Sequence, residues 1–198
     1  MTNFDEAALT WDTPMRRERA LALAEAIREA WGVAPRTALD FGCGTGLLTF
    51  ALCPYIYEIS GYDPSKEMGR IFEAKRSMCQ ADNVRLVTQA QMREHAYDVI
   101  FSSMVLHHIR DVRSETQGLA RRLTPGGRFI WIDLDEDDGS FHASEPGFDG
   151  HNGFSRSEVQ EILEDAGFRE ISVQTVYRGE KVVDGRSVPY SLFMGVAQ

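Results

Sequence analysis

Apolar residues along this chain repeat with two alternating periods, one helical and one extended. Over residues 16–31, Ala20, Leu23, Ala24, Ile27 and Trp31 fall at helical spacing. "TALDFG" then reads as a buried strand, and "GLLTFALCP" as the helix it feeds, stopped before Pro54. "YEISGYDPS" is a second strand ending at Asp63. "SKEMGRIFEAKRSM" follows as a helix, with Ser65 as N-cap and Glu67 in its first turn. "NVRLVTQ" and "AYDVIFSSM" are a third and a fourth strand, and "VRSETQGLARRL" is a helix ending at "TPGG". "RFIWIDLD" is a fifth strand, continuously apolar as a strand buried on both faces should be. "SRSEVQEILEDAG" is a helix capped by Ser155 or Ser157 and stopped by Gly167. "EISVQTVYR" and "SVPYSLFMGVAQ" are two last strands, with a turn across residues 179–185.

Five strands separated by helices predict an α/β fold with a doubly wound, mainly parallel seven-stranded sheet and helices on both faces. The last two strands have no helix between them, so they should form an antiparallel hairpin at the C-terminal edge. No repeat, low-complexity tract or linker divides the chain, which predicts a single domain over residues 1–198.

Composition narrows the partners. The net charge of -9 repels polyanions, so nucleic acid is a poor default ligand. Cys43, Cys53 and Cys79 have neither metal-ligand spacing nor an even framework, as expected of a reducing, cytoplasmic setting. The N-terminus lacks the basic and apolar regions of a signal peptide, and no stretch reaches the roughly 20 apolar residues of a membrane span.

The segment "LDFGCGTGLL" carries the chemistry. In a doubly wound sheet, ligands bind outside the carboxyl ends of the strands near the topological switch point. Glycines after the first strand let a ligand approach the backbone, and the following helix offers free N–H donors. The dinucleotide fingerprint G-x-G-x-x-G/A fails at Leu47, where close helix–strand packing wants a small residue. The pattern is instead D-x-G-x-G-x-G.

With "GYDPSKEM", "YDVIFSSMVLHHI" and "LTPGGRFIWIDL" in that order, the chain resembles class I S-adenosylmethionine-dependent methyltransferases over most of its length. The resemblance implies that Gly42, Gly44 and Gly46 hold the methionine part of the cofactor. Asp40 orients that loop and helps receive the methionine ammonium. Asp63, ending the second strand, takes both ribose hydroxyls, since a carboxylate accepts two such bonds side by side; its bland reading is a turn residue before Pro64. Met68 forms an apolar wall against the adenine. The family's acidic residue after the third strand falls here on Gln89, whose side-chain oxygen can accept from the adenine amino group, with the Ala90 N–H facing a ring nitrogen. A shift of alignment by two would give that role to Gln91. Ser103 and Met104 lie where cofactor and acceptor meet. The chain then divides into an N-terminal lid segment and helix (1–31), a cofactor-binding core (32–134), a substrate-side loop (135–155) and a C-terminal helix and strands (156–198).

The methyl acceptor should be a small molecule, with S-adenosylhomocysteine as the second product and the protein a monomer or homodimer. Phe4 and Trp11 read either as a lid or as surface packing. His108, His142 and His151 are the candidate bases, because imidazoles titrate near neutral pH. His107 and His108, being adjacent, should not both face one site, so one should be a cap or surface group. Neither they nor the acidic run Asp133 to Asp138 predicts a metal, since such runs are mostly solvated. An NAD-dependent oxidoreductase is opposed by Leu47 and by the lack of a Tyr-x-x-x-Lys pair. A nucleic-acid methyltransferase is opposed by the charge and by "SSMV" standing where N/D-P-P-Y/F would. A non-catalytic or cofactor-modifying binding protein is the remaining alternative.

Overall fold

The computed structural model describes residues 4–145 and 147–198. Residues 1–3 of the expected lid segment and Pro146 of the expected substrate-side loop lie outside the described residues. The strands are β1 (Thr37–Phe41), β2 (Glu58–Tyr62), β3 (Val84–Leu86), β4 (Tyr97–Ser103), β5 (Leu123–Leu134), β6 (Ile171–Val183) and β7 (Arg186–Ala197). They form one sheet in the order β3-β2-β1-β4-β5-β7-β6, so the chain reverses its direction of winding between β1 and β4. β1 to β5 pair in parallel; β7 pairs antiparallel with both β5 and β6. The expected C-terminal hairpin is there, with its second strand inserted between β5 and β6.

The helices are α1 (Phe4–Ala7), α2 (Pro14–Ala30), α3 (Leu47–Leu52), α4 (Lys66–Cys79), α5 (Gln89–Glu94), α6 (Val112–Ala120) and α7 (Arg156–Asp165). Alternation along the central strands explains their continuous apolar runs. Ala38, Val99, Phe101, Ile130 and Ile132 pack on one face with Leu23 and Ile27 of α2, Leu48 and Leu52 of α3 and Phe72 of α4. Leu39, Ile100, Phe129 and Trp131 pack on the other with Met92 of α5, Val112 and Leu119 of α6 and Val159, Ile162 and Leu163 of α7. These apolar side chains are therefore buried, whichever way they point.

The caps follow the sequence. Ser65 accepts from Met68 N and Ser155 from Glu158 N, which settles the choice between Ser155 and Ser157. Two local expectations are corrected. The C-terminal turn is the tight pair Asp184-Gly185, both at positive φ, rather than residues 179–185, because extended pairing continues to Val183. The chain after β3 coils directly into α5, since Thr88 and Gln91 form a reciprocal capping box.

Candidate active site

The glycine loop is fixed by the strand beside it. Beyond β1, the N–H groups of Gly42 and Cys43 both donate to the Tyr62 carbonyl, at 2.8 and 3.0 Å. The Gly44 N–H donates to Asp63 Oδ2 at 2.8 Å, and the Ser65 N–H donates to Asp63 Oδ1 at the same distance. Asp63 thus ties the end of β2 to the loop after β1. Burial pushes its carboxyl above the ordinary value, against those two N–H bonds.

The three glycines have different reasons to be glycine. All have positive φ. A Cβ on Gly42 would run into Val105, and one on Gly46 would come within 2.5 Å of Phe50 and 2.7 Å of Phe72. Gly46 therefore serves the core beneath α3, and it does not line the cavity. A Cβ on Gly44 would meet nothing nearer than Trp11 Nε1 at 3.8 Å, so its freedom is kept for the cavity.

That cavity, of about 490 Å³, lies at the carboxyl ends of β1 and β4. Of the sequence-predicted residues it brings together Asp40, Gly42, Gly44, Asp63, Met68, Gln89, Ser103, Met104 and His108. Gln91 is engaged in the capping box, which leaves Gln89 as the glutamine at the wall. Ala90 does not line the cavity; it occupies the first turn of α5, where helix N–H groups lack intrahelical acceptors. Asp40 is buried at the floor, with the Thr49 hydroxyl donating to its Oδ2 at 2.5 Å. Burial raises its pKa to about 7, with the Asp63 charge a lesser cause. Met104 holds positive φ without being glycine, at the point where β4 delivers it to the cavity.

The N-terminal segment contributes to the cavity wall. Phe4 and Trp11 line the cavity, with ring centroids 5.8 Å apart, and Phe4 packs edge-on against His108 at 5.2 Å. Asp12 holds the segment down: it accepts from the Thr45 hydroxyl at 2.5 Å and pairs with Lys75 at 2.5 Å. Asp5 accepts from the Ser65 hydroxyl and the Glu67 N–H at the start of α4.

The histidines depart most from expectation. His107 is neither cap nor surface group. It is buried, and its Nδ1 lies 2.5 Å from Asp133 Oδ1. Asp133 also accepts from the Trp131 indole and from the Leu134 and His107 N–H groups. Burial alone would raise its carboxyl; His107 and these donors outweigh that and lower it. Asp133 is therefore not part of a solvated acidic run. The His107 and His108 rings are 4.0 Å apart, because Leu106–His108 forms a single 3-10 turn rather than an α-helix. His142 lies behind Phe148, stacked on it at 3.8 Å, and does not itself line the cavity. Burial, then the charge of His107, lowers His108 to about 3 and His142 to about 4, so both are neutral imidazoles at physiological pH rather than bases poised near 7. His151 is turned away: its Nε2 bonds the Ile109 carbonyl at 3.0 Å and its N–H donates to the His107 carbonyl at 2.7 Å. It pins the loop rather than facing the cavity.

A family model described as a methyltransferase domain matches residues 15–173. The chain belongs to the class I methyltransferase family. This methyltransferase is 25% identical over 191 residues to an uncharacterized methyltransferase of Schizosaccharomyces pombe, a match covering 85% of the chain and 67% of that protein. It is 28% identical over 137 residues to the ubiquinone biosynthesis O-methyltransferase of Cronobacter sakazakii, covering 65% of the chain and 56% of the relative. Among solved structures, the DhpI–SAH complex superposes with a TM-score of 0.72 at 20% identity, covering 98% of the chain and 92% of DhpI. The chain thus spans roughly half to two thirds of these curated relatives' length.

The sequence reading missed Arg16 and Arg19 of α2. Both line the cavity. The Arg16 guanidinium lies 3.8 Å over the Trp11 ring and donates to the Trp11 carbonyl at 3.0 Å; Arg19 donates to the Tyr190 hydroxyl at 3.1 Å. Their spacing of three on one helix was the available signal, but the cavity they share is made only by tertiary packing.

Proposed function

We propose that this methyltransferase uses S-adenosylmethionine to methylate a small molecule. The observation that carries the reading is that one cavity at the β1/β4 switch point is lined at once by the glycine loop and by the β2-terminal carboxylate of Asp63. Its volume of about 490 Å³ lies within the range of roughly 300–1,000 Å³ usual for small-ligand sites. When bound, the cofactor supplies a methyl group on a positively charged sulfur, attacked in line by the acceptor.

The residues fit that group. Gly44 gives the methionine portion room against the backbone. Asp40 is a buried carboxyl, raised to a pKa of about 7 and with no ion pair among the described residues, so an arriving ammonium would favour its charged form. Arg16, stacked on the Trp11 that faces Gly44, is placed for the carboxylate at the same end. Asp63 accepts one N–H on each oxygen, and each oxygen keeps a lone pair for a ribose hydroxyl. Met68 and Gln89 supply an apolar wall and an amide for the adenine.

The acceptor enters beside Met104, His108, Phe148 and Phe4. His108 receives a hydrogen bond from the acceptor as a neutral imidazole, orienting its nucleophilic atom; burial keeps it uncharged and away from repelling the sulfonium. Orientation of the acceptor against the cofactor supplies much of the acceleration, as effective molarities of about 10⁵–10⁸ M allow. A small acceptor is supported by the size of the cavity, by the net charge of -9 and by the similarity to the ubiquinone biosynthesis O-methyltransferase of Cronobacter sakazakii.

Asp63→Ala tests the reading. Bonds to a charged acceptor contribute about 1.5–3 kcal/mol each, so calorimetric titration with S-adenosylhomocysteine should show affinity reduced tenfold or more. Unchanged affinity in a folded variant would place the cofactor elsewhere.

A further inference from the structure

The cavity wall contains two guanidinium groups, Arg16 and Arg19, one helical turn apart on α2. Among the described residues neither forms an ion pair, not even with the intervening Glu18, and Asp12 is taken by Arg17, Lys75 and Thr45. Glu145, which also acts on Arg16 electrostatically, is paired with Lys181. Such an arrangement is costly. Burial, then the like charge of Arg19, disfavours the charged form of Arg16 and lowers its pKa from the ordinary value. An arginine stays charged in proteins, so two cations facing one cavity call for anions within it.

The cofactor supplies one carboxylate, at the end where Arg16 lies against Trp11 and the glycine loop. Arg19 reaches toward β7, where one nitrogen donates to the Tyr190 hydroxyl. That single bond fixes the guanidinium and leaves its other donors for a ligand. Tyr190 in turn packs at 5.1 Å against Phe141, in the loop that closes the acceptor side.

We propose that the methyl acceptor carries an anionic group, a carboxylate or a phosphoryl oxyanion, which Arg19 recognises from a position set by Tyr190. The proposal rests on the cofactor reading above, because it assigns the first anion to the cofactor. Arg19 is then a specificity residue: it selects acid over neutral acceptors and anchors the end of the molecule remote from the nucleophile. In an acidic protein, such a local cation pair also draws an anion to an otherwise repelling surface.

The test uses the full chain saturated with S-adenosylhomocysteine, at constant ionic strength. Benzoate and phenyl phosphate serve as anionic probes, with benzamide and benzyl alcohol as their neutral counterparts, each followed by thermal shift and calorimetry. Both anions should stabilise the wild-type complex and neither neutral probe should. Arg19→Gln should lower anion affinity at least fivefold while S-adenosylhomocysteine affinity stays within about threefold, and Arg19→Lys should fall between. Tyr190→Phe should weaken the anions less than Arg19→Gln does. Neutral probes binding as well as the anions, no effect of any anion, or Arg19→Gln retaining full anion affinity would each overturn the proposal. Failure of the wild type to bind S-adenosylhomocysteine is a separate result, which sinks the cofactor reading itself.

Discussion

At the scale of single residues, burial decides what each titratable group can do. His108 and His142 share the residue type and the neighbourhood of a general base, yet both are held neutral because a charged imidazole there would be desolvated and would face His107. Turnover at saturating cofactor should therefore show no ionisation from either between about pH 5 and 8. His108→Ala should lower kcat on the true acceptor, by up to the 10²–10⁴ range if the contact also carries a proton, with S-adenosylhomocysteine affinity nearly unchanged. His142→Ala, one layer behind Phe148, should act more weakly on kcat. His151→Ala should lower the melting temperature and leave kcat within a few-fold, because its ring is held by the Ile109 carbonyl and does not line the cavity. A full loss of turnover in His151→Ala with unchanged stability would refute this ordering. The sequence carried the candidates, but neither the stack on Phe148 nor the Asp133 pairing is visible without the fold.

At the scale of elements, the N-terminal segment is the piece with least core of its own. α1 buries no residue fully, and the segment is joined to the cofactor side chiefly by Asp5 and Asp12. Asp12 is the more central of the two, touching the glycine loop through Thr45 and α4 through Lys75. Asp12→Ala leaves the Thr45 hydroxyl and Lys75 without their shared partner. It should speed limited proteolysis ahead of α2 and raise the dissociation rate of S-adenosylhomocysteine several-fold, with little change in overall melting temperature. Protection identical to wild type would show that the segment is held by Phe4 and Trp11 packing instead. Only part of this was legible: Phe4 and Trp11 stood out as aromatics without periodicity, whereas the carboxylates that anchor them look in sequence like ordinary surface charge.

At the scale of the whole molecule, Asp40 couples the cavity to global stability. Its folded pKa of about 7 stands above the unfolded value of 3.8, so between these limits the native state holds a proton that the unfolded chain has released. The ligand-free protein should therefore lose stability as pH rises through that window, by up to about 1.4 kcal/mol per pH unit. A bound ammonium favours the charged carboxylate and reverses the coupling: S-adenosylhomocysteine should bind more tightly as pH rises from about 4 to 7, by up to about tenfold per unit. Asp40→Asn keeps an acceptor for Thr49 and should flatten both trends. Melting curves against pH with and without ligand measure them together, and a ligand-free slope of opposite sign would show that Asp40 ionises freely.

What the sequence by itself determined was periodic and local. The alternation of strand and helix, the caps at Ser65 and Ser155, the stop at Gly167 and the D-x-G-x-G-x-G loop before an acid-ended second strand all depend on near neighbours, and these led to the sheet, the family and several residues of the cavity wall. Tertiary structure decided what depends on residues far apart. It separated Gly46, needed by Phe50 and Phe72, from Gly44, open to the cavity. It buried Asp133 against His107, tied His151 to the Ile109 carbonyl and brought Arg16 and Arg19 from α2 to the same cavity as Asp63. The physical reason is common to all four. Whether a glycine, a carboxylate or a cation serves the core, the surface or a ligand is set by the desolvation and partners it meets after packing, and those come from distant parts of the chain.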